Sequence, residues 1–401
     1  MEKIKILCCP ANQGGCSYYR AWAPFAKIAE KFPDLFEVRF NENPLGLNPE
    51  TGQWQEDWDF EDMKWADVVM TQNIHNYGGP YTARIIGKAK EFGKFVHFDT
   101  DDLLTDLYEG HRLKQVYEER GLSEITKSLY AHSDLVTVTQ RKFAERIQKY
   151  CTGILAVAKN SIDYNLANWN HPKVPAKRKR LVRIGWAGGI HHEEDVKEFA
   201  GIPHFVNQKV GRENVEWHFF GRPPVDPNSP KKDDQWQQDV WDNYQRILLK
   251  GFRGAKNWFV HHALPSDQYG VIFANIDIAI APLQMNDFND SKSEIKVAEC
   301  GRYKVPLIAS NVGCYDETIF NGKTGYLIEP DAPKAEWVKI LTKVIKDKKH
   351  RESLGNNLHE VTEEYFDLNK VIALRVDLYK NAFKLCGRDD LYKKLEGFEL
   401  S

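Results

Sequence analysis

The chain has 401 residues, of which 42% are hydrophobic and 28% charged, and its formal net charge is -2. That length exceeds one ordinary core and fits two domains of about 150 to 200 residues, while the composition excludes the disordered and fibrous classes. Near-neutral charge removes any global attraction to nucleic acid or anionic lipid. No window approaches the roughly 20 apolar residues of a membrane helix, and the N-terminus runs into a strand without a leader pattern, so a cytoplasmic protein is expected. The seven cysteines, an odd number without a Cys-x-x-Cys pair, suit neither a disulfide framework nor a zinc site.

In chain order, Lys3 to Cys9 reads as an apolar strand, followed by a loop carrying Gly14 and Gly15 and a helix from Tyr18 to Lys31. A strand, glycine loop and helix in succession can line a phosphate or sugar with backbone, and it also describes an ordinary tight turn. Strands at Phe36 to Phe40, Asp67 to Thr71, Phe95 to Phe98, Leu135 to Thr139 and Ile154 to Ala158 alternate with helices at Tyr81 to Phe92, Ile125 to His132 and Arg141 to Tyr150. Such alternation predicts a parallel sheet covered on both faces, with ligands at the carboxyl ends of its strands. Asp99, Asp101 and Asp102 stand at one such end, where carboxylates can orient an acceptor or stabilise positive charge on a sugar ring; Thr100 or Asp102 can equally cap the next helix.

A Pro-rich basic stretch, 169–180, reads as a linker. Its run Lys177 to Arg180 either meets nucleic-acid phosphates or is simply solvated. The strand and loop pattern then restarts with a strand at Leu181 to Trp186, a loop containing Gly188, Gly189, His191 and His192, and a helix from Glu193 to Phe205. Strands follow at Val215 to Phe220, Trp258 to His261 and Ile276 to Ala281. The Trp-rich segment Pro223 to Ile247 reads as a loop and helix inserted at the mouth of a site. Next comes a polar loop and short helix carrying Lys292, Ser293, Lys296 and Glu299, then a buried strand from Pro306 to Ser310. On one continuous helix Lys292, Lys296 and Glu299 share a face, a pattern that can hold a diphosphate and ribose hydroxyls or form a solvated Lys296 and Glu299 pair. Helices over Pro333 to Glu364 and Leu368 to Leu385 complete the pattern, the last long enough to return to the first half.

Taken together, Gly185-Trp-Ala-Gly-Gly-Ile-His-His, Ser291-Lys-Ser-Glu-Ile-Lys-Val-Ala-Glu, Val305-Pro-Leu-Ile-Ala-Ser-Asn-Val-Gly and Asn321-Gly-Lys-Thr-Gly-Tyr-Leu-Ile resemble the large retaining group of GT-B glycosyltransferases, the glycogen and sucrose synthase-like group 1 enzymes of bacterial or phage type. The resemblance is strongest from Arg183 to Pro330. It implies an α/β fold of two doubly wound, Rossmann-like domains facing a cleft: an acceptor-side domain over 1–168, a linker over 169–180, a donor domain over 181–367, and a C-terminal segment over 368–401 crossing back.

The activity it implies is transfer from a UDP- or GDP-sugar to a hydroxyl, with retention and with no metal or other cofactor. Lys292 and Lys296 would neutralise the diphosphate, Glu299 would hold the ribose, and Gly188 and Gly189 would admit the phosphates. Gly14, Gly15, His191, His192 and Ser293 would add donor contacts, with Asp99, Asp101 and Asp102 on the acceptor side. The first glutamate of the group's Glu-x7-Glu motif would fall at Ser291, a departure from that motif, and the Ser-Lys-Ser found there resembles the form that many enzymes of the group carry instead. The acceptor stays open among a glycan, a lipid-linked sugar, a small molecule and a hydroxymethylated DNA base. A nucleotide-sugar epimerase and a non-catalytic sugar-nucleotide binder are the rival readings.

Overall fold

The computed structural model describes residues 2–48, 50–72, 78–178, 180–225, 234–254 and 256–400. Two six-stranded sheets organise it, and the expected pair of doubly wound domains is present. The first contains β1 (Ile4–Cys9), β2 (Phe36–Phe40), β3 (Val68–Gln72), β4 (Phe95–Asp99), β5 (Leu135–Val138) and β6 (Ile154–Val157) in the order β2-β1-β3-β4-β5-β6. The second contains β7 (Val182–Ala187), β8 (Val215–Arg222), β9 (Trp258–His262), β10 (Ile278–Ala281), β11 (Leu307–Ser310) and β12 (Gly325–Ile328) in the order β12-β11-β10-β7-β8-β9. Every pairing is parallel.

Because side chains alternate along a strand, each sheet feeds two cores. Leu7 and Cys9 enter one cluster and Ile4, Ile6 and Cys8 the other. In the second sheet Ile278 and Ile280 separate from Ala279 and Ala281 in the same way. Leu368, Ile372, Val376, Tyr379 and Phe383 of the helix Leu368–Leu385 join the core of the first sheet, so the last long helix covers that domain. The chain passes between domains twice, and the two passages are tied together where Ile162 N donates to Phe366 O at 2.9 Å and Leu368 N to Ile162 O at 2.8 Å.

Three local departures from the sequence expectations matter for the site. The first helix begins at Gly15 and includes a π turn, Tyr18–Trp22, before Ala23–Lys31. That wider turn leaves the successive residues Tyr19 and Arg20 both buried. The helix expected over Glu193 to Phe205 is two helices, Glu193–Glu198 and Ile202–Val210, because Gly201 between them adopts φ 76°. Within the Pro223 to Ile247 segment, 226–233 lie outside the described residues, and the helix Asp234–Leu248 buries Val240, Trp241, Tyr244 and Leu248 in the second domain's core. It is therefore a wall of that domain rather than an insert at the mouth.

Candidate functional site

In a doubly wound sheet, the crevice opens where successive connections leave in opposite directions. In the second sheet that point lies between β7 and β10. The ends of these strands, at Ala187 to Gly189 and Ala281 to Leu283, line a cavity of about 470 Å³. Lys292, Ser293, Lys296 and Glu299 close one side, and Gly15, Cys16, Tyr19, Asp101, Asp102 and Asn160 approach from the first domain. Ten positions singled out in the sequence thus meet around one space: Gly15, Asp101, Asp102, Gly188, Gly189, His192, Lys292, Ser293, Lys296 and Glu299.

The charged stretch is built differently from a single helix. Asp287–Asp290 is one short helix and Ile295–Arg302 the next, with Lys292 in the turn between them. Lys292 therefore reaches the cavity from a turn and not from the helical face of Lys296 and Glu299. Among the described residues it has no carboxylate within ion-pair distance, and its ammonium lies 4.9 Å from the centre of the Phe288 ring. Lys296, by contrast, is paired: its Nζ donates to Glu299 Oε2 at 2.7 Å and to Tyr269 Oη at 3.1 Å. Burial opposes its charge, but Glu299 and then Tyr269 outweigh it and raise its pKa. Glu299 is 1% exposed, and its Oε1 accepts a bond from Tyr19 Oη across the domain boundary at 3.0 Å.

The glycine loop also divides its work. Gly188 N already donates to Phe220 O at 3.1 Å, and a Cβ at Gly188 would come within 2.5 Å of the Trp186 ring. This glycine serves close packing, not amide donation. Gly189 faces open space, and its N–H has no acceptor among the described residues. The loop is held from behind by Tyr244, whose hydroxyl accepts from His192 N at 3.0 Å and donates to Ile190 O at 2.7 Å. His192 Nδ1 lies 2.7 Å from Asp195 Oδ2, while Asp195 Oδ1 accepts from Gln284 N at 2.9 Å and Asn289 Nδ2 at 2.7 Å. Burial and then Lys292 lower the His192 pKa, leaving a neutral ring that donates from Nδ1. Asp195, although burial opposes its charge, is held below the ordinary range by His192.

On the first domain Asp101 and Asp102 follow β4. Burial, and then the neighbouring Asp101 charge, push the Asp102 carboxyl up to about 7. Cys16 Sγ and the carboxylates of these two residues lie within 4.8 Å of one another, a set able to hold a metal ion.

Three sequence candidates do not line the cavity. Asp99 is fully buried, bound by Arg20 at 2.6 and 2.8 Å and by Thr137 Oγ1 at 2.5 Å, because it is the last residue of β4 and points into the domain. It is a structural anion, which corrects the catalytic role expected for it. Gly14 turns its N–H back onto Asn12 Oδ1 at 2.7 Å. His191 stacks on His111, centroids 6.2 Å apart, at the domain boundary.

Residues the sequence did not single out for the site include Tyr19, Asn160 and Tyr269. No sequence spacing connects Tyr19 to a glutamate 280 positions away. Asn160 links Arg20 to the site, accepting from Arg20 at 3.1 Å and donating to Ser293 Oγ at 2.9 Å. The turn bearing Lys292 is anchored to the first domain by Phe288, which enters that domain's core, and by Asp290, which binds Lys142 at 3.0 Å and Arg146 at 2.7 Å.

Residues 244–361 match the family described as Glycosyl transferases group 1. A capsular polysaccharide biosynthesis glycosyltransferase, CapM of Staphylococcus aureus, is 29% identical over 111 residues, which span 28% of this chain and 27% of the relative. Among solved structures, a sucrose-phosphate synthase from Thermosynechococcus elongatus superposes with TM-score 0.65 at 13% identity, over 96% of this chain and all of that one. HepE of Anabaena, solved with UDP and glucose, gives TM-score 0.58 at 13% identity over 94% of this chain and all of that one. The chain has the GT-B fold and resembles group 1 glycosyltransferases in its second domain.

Proposed function

We propose that this chain is a glycosyltransferase that moves a sugar from a nucleotide-diphosphate sugar to a hydroxyl acceptor. One observation carries the reading. Lys292, a cation without a carboxylate partner among the described residues, and the Gly189 amide, open among those residues, line the same cavity as Asp101 and Asp102 of the opposite domain. The donor diphosphate lies at the β7 and β10 crevice, and the acceptor enters beside the two aspartates. As the glycosidic bond breaks, negative charge grows on the leaving diphosphate; Lys292 and the Gly189 N–H stabilise it, and the paired Lys296 adds a second positive charge. Glu299, fixed by Lys296 and Tyr19, accepts from the ribose hydroxyls. Asp102, with its carboxyl near neutrality, takes the acceptor hydroxyl proton. Retention of anomeric configuration is part of the reading and follows the family likeness. The UDP complex of HepE supports a UDP-sugar as the first donor to try.

The test is incubation of the purified chain with UDP- and GDP-sugars, with and without a panel of glycan, lipid-linked, small-molecule and hydroxymethylated DNA acceptors, with products identified by mass and anomeric configuration. Sugar transfer with retention is expected, and it is expected to survive EDTA. Activity lost with EDTA and restored by Mg²⁺ or Mn²⁺ would instead assign Cys16, Asp101 and Asp102 as metal ligands. An epimerised free sugar nucleotide as the sole product would overturn the transferase reading.

A further inference from the structure

Behind the segment 157–161 that leaves β6, a second cavity of about 880 Å³ opens at the place where the chain passes between domains. Alternate residues of this segment serve the two spaces: Asn160 lines the cavity described above, whereas Lys159 and Ser161 line the second one. Its walls come from both passages and from the helices that flank the second, Lys348–Tyr365 and Leu368–Leu385. The size is within the range of small-molecule sites, about 300 to 1,000 Å³.

The lining is apolar at its mouth and polar at its base. Val157 is 39% exposed, Phe320 50% and Leu374 54%, an unusual concentration of open aliphatic and aromatic surface around one depression. At the base Ser161 is 1% exposed, yet its hydroxyl has no hydrogen-bond partner. Arg375 is 8% exposed, and among the described residues its guanidinium donates one hydrogen bond, to the Lys159 carbonyl at 3.5 Å. No carboxylate among the described residues pairs with this guanidinium; the nearby Asp99 is taken by Arg20. Burial, and then the neighbouring Arg20 charge, lower the Arg375 pKa to about 10, an effect that Asp99 and Tyr379 offset only in part. The other charges do not supply that compensation: Glu317 is bound to Lys159 at 2.6 Å, and Glu364 is exposed at the rim. Buried charges are normally paired and buried hydroxyls normally bonded, so a cation and a hydroxyl left open beneath apolar walls point to a ligand that completes both.

We propose that this cavity binds a single-chain anionic amphiphile, its phosphate or carboxylate head on Arg375 and Ser161 and its aliphatic chain along Val157, Phe320 and Leu374. The site is separate from the sugar-nucleotide cavity and does not depend on the reading of that cavity. Arg375 is suited to an oxyanion because its planar donor fork matches one bidentately.

The experiment is isothermal titration of the full chain with decyl phosphate below its micelle concentration, alongside decanol, inorganic phosphate and decyltrimethylammonium. One decyl phosphate per chain is expected, with the three controls at least about tenfold weaker, a difference set by head and chain together. Leu374→Glu, at an exposed position, is expected to fold normally and to weaken decyl phosphate by at least about tenfold through like-charge repulsion. Saturating UDP is expected to leave the affinity unchanged. Equal affinity for the cationic amphiphile, unchanged binding in Leu374→Glu, or displacement by UDP would each overturn the proposal.

Discussion

Lys292 and Lys296 lie on the same stretch and line the same cavity, yet their removal has opposite consequences. Lys292 has a ring contact with Phe288 at 4.9 Å and no carboxylate within ion-pair distance among the described residues, so Lys292→Ala forfeits about 0.5–1 kcal/mol of cation–π attraction and breaks no ion pair. Lys296→Ala leaves Glu299, 1% exposed, without its ammonium at 2.7 Å, a loss of about 3–5 kcal/mol for a broken buried pair. In a domain of this size each kcal/mol moves the melting temperature by about 2–4 °C. Thermal unfolding should therefore place Lys296→Ala about 10 °C below wild type and Lys292→Ala within about 4 °C of it.

Turnover of the best nucleotide sugar orders the two differently. A charge placed to meet the developing diphosphate contributes about 3 kcal/mol, so Lys292→Ala is expected to lose about 10²–10³-fold in kcat with its fold intact. Lys292→Arg should recover part of that loss. Wild-type turnover in Lys292→Ala, or a melting temperature as low as that of Lys296→Ala, would refute the assignment of Lys292 as the unpaired diphosphate cation.

The Asp102 carboxyl, raised from an ordinary value of 3.8 to about 7, binds its proton more tightly in the folded than in the unfolded chain. Its contribution to stability is thus greatest below about pH 4 and declines as pH rises toward 7; Asp102→Asn should flatten that part of a denaturant-melt series. The same substitution should remove the ascending limb near pH 7 from the kcat/KM profile. Asp99 has the opposite sign: Arg20 holds it below 3.8 although burial opposes, so its contribution is present above that pH and lost as pH falls through the folded value. Arg20→Met is expected to destabilise by about 3–5 kcal/mol in chemical denaturation, because Asp99 is left buried and unpaired. Phe288→Ala removes a ring from the first domain's core while freeing the turn before Lys292; a loss of about 3–5 kcal/mol is expected, with a raised KM for the donor.

Much of this architecture is written locally. The runs at Ile4–Cys9 and Leu307–Ser310 are apolar enough to be buried on both faces, and their alternation with amphipathic helices implies parallel sheets with a crevice at the strand ends. The helix at Leu368–Leu385 could likewise be delimited from its own sequence. Boundaries moved where backbone chemistry outweighed periodicity, as at Gly201, whose positive φ splits a helix that apolar spacing alone would continue.

What the sequence by itself determined is therefore the fold class and the presence of two glycine loops, an aspartate cluster and a lysine and glutamate stretch, since each depends on residues close together in the chain. Only the tertiary structure decided which of those charges are available. Asp99 and Asp101 are two positions apart, but strand alternation and the distant Arg20 bury the first as an ion pair while the second reaches the cavity. Lys292 and Lys296 are four apart, and a helix start at Ile295 together with Glu299 and Tyr19 leaves the first open and the second paired. Availability depends on what lies opposite in space, and partners such as Arg20 for Asp99 and Tyr19 for Glu299 come from 79 and 280 positions away.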